Sequence, residues 1–99
     1  MSIKLKIVTP NGIFIDSKEV EIINVKTIDG DMGILKNMAP FTTALKISQL
    51  NFRTNTKTTY LHINGGIMEV TQQECKIITE GLNLVDQHGN ILSTPDKFE

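Results

Sequence analysis

Glu19-Val20-Glu21-Ile22-Ile23-Asn24-Val25-Lys26-Thr27-Ile28 is the stretch on which the fold turns. Val20 and Ile22 share one parity; Ile23 and Val25 share the other. Successive side chains of a strand point to opposite faces, so a half-buried strand keeps its apolar residues on one parity. Here the apolar face switches between Ile22 and Ile23. A one-residue slip exchanges the faces of a strand. The cause is a β-bulge, or a strand that leaves one sheet and enters another. Both belong to sandwiches and flattened barrels.

The flanking sequence carries the same period of two. Ile3, Leu5 and Ile7 alternate with Lys4 and Lys6, and Thr9-Pro10-Asn11-Gly12 closes that strand with a turn. Ile13-Phe14-Ile15 reads as a short strand and Asp16-Ser17-Lys18 as a second turn. Asp29-Gly30-Asp31-Met32-Gly33 reads as a glycine-rich turn ahead of Ile34-Leu35. Pro40 precedes a short run from Phe41 to Leu45. Leu50 and Phe52 alternate with Asn51 and Arg53, and Thr54-Asn55-Thr56-Lys57 is a polar hairpin tip. On the return, Leu61 and Ile63 share one face, with Tyr60 and His62 on the other. Gly65-Gly66 breaks the chain. Ile67 to Val70 and Cys75 to Thr79 form a last pair. After Gly81 the pattern fades into a turn at Asp86–Asn90, an edge strand near Asn90 to Ser93 and a polar tail. No window sustains a helical period. The expectation is an all-β sandwich or barrel.

Composition narrows the function. The chain has 99 residues, the length of one small domain, with 39% hydrophobic and 21% charged residues. Its net charge is −1, and Arg53 is the only arginine among 10 basic residues. Nucleic-acid binding domains carry a basic excess and read phosphates and base edges with arginine, so that class is disfavoured. One cysteine excludes an internal disulfide and a Cys-rich zinc site, and two histidines are too few for a histidine-built metal centre. No apolar run approaches the roughly 18 residues of a membrane span and no signal peptide is visible, so the expected compartment is the cytoplasm.

Candidates for catalysis are thin. Cys75 opens a strand without neighbours that would lower its pKa, and reads as a buried, inert thiol. His62 lies on the face opposite Leu61 and Ile63, and His88 lies in a polar turn. Asp29-x-Asp31-x-Gly33 begins like a calcium loop, but the sixth and twelfth positions hold Ile34 and Pro40 instead of glycine and glutamate. Gly65-Gly66 is not followed by the lysine or helix of a phosphate cradle. These readings point to a binding or structural module with no catalytic residue, cofactor or metal.

Four segments then carry a resemblance: Ile7-Val8-Thr9-Pro10-Asn11-Gly12, Val25 through Asp29-Gly30-Asp31-Met32-Gly33-Ile34-Leu35, Ala39-Pro40-Phe41, and Gly65-Gly66-Ile67-Met68-Glu69-Val70. In order and spacing, from about Ile3 to Gly81, they resemble the epsilon subunit of the F-type ATP synthase. The resemblance implies a flattened ten-stranded β-sandwich over residues 1–82, followed by a short polar C-terminal extension over 83–99. Two departures stand out. Lys36-Asn37-Met38 replaces the family's proline, glycine and histidine, with Met38 in the histidine's place. The family continues into an inhibitory two-helix hairpin, whereas the segment after Gly81 contains Gly89, Asn90 and Pro95 and is too broken for one. The chain is then either a truncated piece or a natural short form, and a natural short form, or a paralogue in a specialised motor, is the expectation.

By this resemblance the chain is a non-catalytic central-stalk, or rotor, subunit of an F-type or F1-like ATPase. It would couple rotation of the shaft and membrane ring to ATP synthesis or hydrolysis, without a cofactor. Its implied partners are a gamma-type shaft subunit and the loops of a c-type membrane ring, within a hetero-oligomeric complex that holds one copy. It would lie peripheral to the cell membrane through that complex, with no direct insertion. Asp31 occupies the position implied to meet the ring, and Thr9, Met38 and Thr43 occupy positions implied to face the shaft. The alternative is a stand-alone β-sandwich binding or carrier module. For that reading Lys57, near the hairpin tip, is the candidate modified lysine, although it lacks the usual methionine or acidic neighbours.

Overall fold

A computed structural model describes residues 2–98. They form nine strands, against the ten that the resemblance implies: β1 (Ile3–Thr9), β2 (Gly12–Val20), β3 (Ile22–Thr27), β4 (Gly30–Ile34), β5 (Phe41–Arg53), β6 (Thr58–Val70), β7 (Glu74–Ile78), β8 (Leu82–Val85) and β9 (Ile91–Ser93). The strand order is β2-β1-β7-β6-β5-β3-β4, with β8 added on β6 and β9 on β8. The end strands β2 and β4 do not pair, so the sheet is not closed into a barrel.

Two layers arise because β5 and β6 are long and bend together. The first half of β6 pairs with β8, from Tyr60↔Val85 to Ile63↔Leu82. Its second half pairs with β7, from Ile67↔Ile78 to Val70↔Cys75. One layer therefore holds β2, β1, β7 and the Gly66–Val70 side of β6. The other holds β4, β3, β8, β9 and the Thr58–Asn64 side. Ile3, Leu5, Ile7, Met68 and Ile77 from the first layer meet Ile23, Leu50, Phe52, Leu61 and Ile63 from the second, all essentially fully buried. Each such side chain contributes about 1.5–3 kcal/mol by leaving water.

The bend falls at Gly65-Gly66. These glycines do not break the chain, as the sequence suggests; β6 runs through them. Gly66 has φ 140°, and a Cβ there would stand 2.2 Å from the carbonyl oxygen of Ile78. Only a residue without a side chain lets β6 press this closely on the chain leaving β7.

The parity switch at Ile22–Ile23 marks the crossing between layers. Val20 pairs with Ile3 in the first layer, and Ile23 pairs with Phe52 and Ile34 in the second. At the crossing the Glu21 N–H donates to the Arg53 carbonyl at 2.7 Å, and the Arg53 guanidinium meets the Glu21 carboxylate at 2.9 Å.

Three further segments differ from their sequence reading. Asp16-Ser17-Lys18 is not a turn but a bulge inside β2. Leu5 faces Lys18 and Ile7 faces Ile15, so β2 spends three residues where β1 spends two. Ser17 takes φ 54° to absorb the extra residue. The glycine-rich turn shrinks to Ile28-Asp29, because Gly30 already opens β4, and Asp31 and Gly33 pair with Lys26 and Asn24. Phe41–Leu45 and Leu50–Arg53 are one continuous strand, β5.

Beyond Gly81 the chain stays in register. The division expected after residue 82 falls inside β8, where Val85 is buried. β9 lies where the edge strand is expected. In the tail, the Phe98 N–H donates to the Phe14 carbonyl at 2.9 Å. The Phe98 ring lies 6.0 Å from Phe14 and 5.7 Å from Phe52, with the Lys18 ammonium 5.3 Å from its centroid.

Candidate partner-binding face

Cross-strand partners in a sheet share a face. On the outer face of the first layer, Ile13 pairs with Val8, Val8 with Ile78, Ile78 with Ile67, and Ile67 with Ala44. The Ile28 N–H donates to the Ala44 carbonyl at 3.1 Å and extends the row beyond β5. The result is an unbroken apolar band across β2, β1, β7, β6 and β5, spanning four strand steps or about 19 Å. Its isoleucines are open to solvent: Ile13 is 40% exposed, Ile78 42%, Ile67 50% and Ile28 61%. Their neighbours Ile7, Ile77 and Met68 point the other way, into the core.

A polar row flanks this band on the same face. Thr42 pairs with Glu69, Glu69 with Lys76, and Lys76 with Lys6. An apolar strip edged by charge has the anatomy of a protein–protein interface. A contiguous exposed patch of this kind is unusual on a chain with no partner. A stripe on a stiff sheet holds its shape without a partner, so docking costs little ordering entropy.

The positions singled out from sequence lie in separate places. Asp31 sits in the edge strand β4, exposed, with its carboxylate 3.7 Å from the Lys26 ammonium. It borders a cleft of about 330 Å³ with Asn24, Met32, Gln49 and Asn51. Thr9 ends β1 directly after Val8 of the band. Its hydroxyl accepts from the Asn11 N–H at 3.1 Å and donates to the Gly12 carbonyl at 3.4 Å. Met38 is half-buried between β4 and β5 and packs on the core, its Sδ accepting from the Leu35 N–H at 3.2 Å. Thr43 precedes Ala44 but pairs with the buried Met68, so it takes the inward parity of β5. The four do not converge on one cavity.

The band itself was not read from sequence. Its signal is there in retrospect: Ile7-Val8, Ile67-Met68 and Ile77-Ile78 are apolar on both parities. A strand with one core face and one wet face alternates; a strand apolar on both faces has two surfaces to cover.

Titratable groups add no reactive centre. Burial, with a smaller push from the Glu74 charge, raises the Cys75 thiol to about 12. Asp86 is held below its ordinary value by hydrogen bonds from Asn90, helped by the His88 N–H. Among the described residues no group of three or more His, Cys, Asp or Glu side chains could hold a metal ion.

With this geometry in hand, comparison with known proteins is direct. The family model for the ATP synthase delta/epsilon chain, beta-sandwich domain, matches residues 2–84. The ATP synthase epsilon chain of Staphylococcus haemolyticus is 33% identical over 81 residues, covering 80% of this chain and 59% of the relative. That of Bacillus cytotoxicus is 36% identical over 87 residues, covering 85% and 65%. The chain thus spans somewhat less than two thirds of the curated relatives it matches. Among solved structures, a chain of the Euglena gracilis mitochondrial ATP synthase superposes with a TM-score of 0.80 at 21% identity, over 88% of this chain and 57% of that one. A chain of the Tetrahymena thermophila mitochondrial ATP synthase central stalk and c-ring gives 0.71 at 15% identity, over 90% and 84%. At these identities the structural likeness speaks for the fold. The sandwich seen here and the match across residues 2–84 together place the chain in the ATP synthase delta/epsilon chain β-sandwich family.

Proposed function

We propose that this chain is a central-stalk subunit of an F-type ATP synthase or a related F1-like motor. Its outer apolar band docks on a gamma-type shaft subunit, and its β4 edge meets the polar loops of a c-type membrane ring. It performs no bond chemistry and couples rotation of ring and shaft to ATP synthesis or hydrolysis in the catalytic head. The observation that carries this reading is the band from Ile13 to Ile28, an apolar surface built on five strands with a charged flank. Thr9 and Thr43 stand beside band members and Met38 closes the neighbouring loop, so we place these three at the margin of the shaft contact. Asp31, exposed on an edge strand, is the ring contact. The long ladder of β5 on β6, running from Phe41↔Val70 to Arg53↔Thr58, supplies the stiffness that torque transmission needs.

Coupling in this reading comes from the sandwich body, of which the segment after Gly81 forms β8 and β9. Among the described residues no helix is long and apolar enough to cross a membrane. In this reading the membrane connection runs through the complex. The test is to mix the chain with its cognate shaft and catalytic subunits and follow co-elution and ATP hydrolysis. Co-elution in one-to-one ratio with the shaft is expected. Failure to co-elute refutes the proposal.

A further inference from the structure

The β8–β9 hairpin and the tail behind it border a groove of about 740 Å³. None of its lining residues belongs to the apolar band. Its volume lies in the range of small-molecule sites. Leu84 of β8, Leu92 of β9 and Phe98 of the tail give it an apolar wall, and Tyr60 adds an aromatic ring with a hydroxyl. Lys57 and Lys97 bring two ammonium groups to the same groove, and neither joins an ion pair among the described residues.

One carboxylate, Asp86, also lines it, and its oxygens are already engaged. Its Oδ1 accepts from the His88 N–H at 2.8 Å and the Asn90 N–H at 2.9 Å; its Oδ2 accepts from the Asn90 side-chain amide at 3.0 Å. Asp86 keeps its charge, so among the described residues the groove carries two ammonium groups against one carboxylate, a net positive balance. Lysine stems lie along apolar surface while their heads stay wet, which suits a ligand with an apolar body and a charged head.

We propose that this groove binds a single-chain aliphatic anion of the fatty-acid class. The chain lies against Leu84, Leu92 and Phe98, and the carboxylate head pairs with Lys57 and Lys97 through charge-assisted hydrogen bonds. Charge complementarity selects this occupant over a neutral one. The site is independent of the shaft-binding reading and can be tested on the chain alone.

The probe is decanoate, added below its micelle concentration to isotope-labelled protein and followed by amide and methyl NMR. Saturable shifts are expected at Leu84, Leu92 and Phe98. The variant Lys57→Glu with Lys97→Glu, both at exposed positions, should bind decanoate roughly tenfold or more weakly while keeping the wild-type unfolding midpoint. Decanol, with the same chain and no charge, should also bind roughly tenfold more weakly. The proposal is overturned by any of three results: no saturable shift in the groove, shifts confined to Ile67 and Ile78 of the outer band, or equal binding of decanoate by the doubly reversed variant.

Discussion

Replacing Gly66 with alanine tests the bend that creates the two layers. Two costs add. The backbone at φ 140° lies where residues with a side chain are rarely found, at about 1–3 kcal/mol. The new Cβ would also stand 2.2 Å from the Ile78 carbonyl oxygen and 3.1 Å from the Thr79 Cα. Both are backbone atoms, so no rotamer change relieves the clash. Either β6 moves off β7 or the ladder distorts, at a further cost of about 1–3 kcal/mol. The sum of roughly 2–6 kcal/mol is a large share of the about 5–15 kcal/mol that hold a domain of this kind together. For a domain near this size each kcal/mol moves Tm by about 4–8 °C, so Gly66→Ala should melt about 8 °C or more below the wild type. Gly12→Ala is the control. Gly12 has φ 118° but nothing within 4 Å of a Cβ, so it carries the backbone cost without the clash. Urea unfolding followed by circular dichroism measures both. Equal midpoints for the two variants would refute the close-approach argument for the bend.

Further outcomes follow from the same geometry. Cys75 should resist thiol reagents in the folded protein and react on unfolding. Its folded pKa of about 12 lies above the ordinary 9.0, so the stability it contributes is complete below about pH 9 and is lost as pH rises toward 12. Urea midpoints on both sides of pH 9, compared with Cys75→Ala, check the sign. Asp86 shifts the other way: the stability it gives its turn is present above its ordinary value of 3.8 and fades as pH falls through its lowered folded value. Asp86→Ala should speed hydrogen exchange at the His88 and Asn90 amides, whose acceptor it removes. Charge reversal at Asp31 breaks an exposed ion pair with Lys26 and should change stability by less than about 1 kcal/mol. The same variant should weaken ring-coupled proton pumping in the reconstituted motor; normal pumping would remove Asp31 from the ring contact.

How much was legible in the sequence depended on how local the physics was. Ile3-Leu5-Ile7, the polar tip at Thr54–Lys57 and the pair Ile67–Val70 with Cys75–Thr79 follow from alternation and turn chemistry within a few residues. The crossing at Ile22–Ile23 was legible because a strand cannot change sheets without changing its buried parity. Asp16-Ser17-Lys18 misled because a bulge and a turn draw on the same polar residues; only the partner strand β1 distinguishes them. Gly65-Gly66 misled similarly, since Gly66 answers to the carbonyl of Ile78, twelve positions along the chain, and Gly65 to that of Leu45 on the partner strand. β8 escaped because Asn83 and the nearby Asp86 interrupt its apolar residues, and its pairing with β6 is what fixes it. The outer band escaped for the same reason. Ile13, Val8, Ile78, Ile67 and Ala44 come from five strands, and only the register lines them up.

The central claim is that this band is the surface that holds the shaft. The direct measurement is the affinity of a gamma-type shaft subunit for the chain carrying Ile67→Asp and Ile78→Asp. Both side chains are exposed on the free sandwich, so the variant should keep the wild-type unfolding midpoint within about 1 kcal/mol. Ile67 is 50% and Ile78 42% exposed, so covering each contributes about half of the roughly 1.5–3 kcal/mol of a full burial, and losing both at the centre of the band should weaken binding roughly tenfold or more. A folded double variant that binds the shaft as tightly as the wild type would contradict the account.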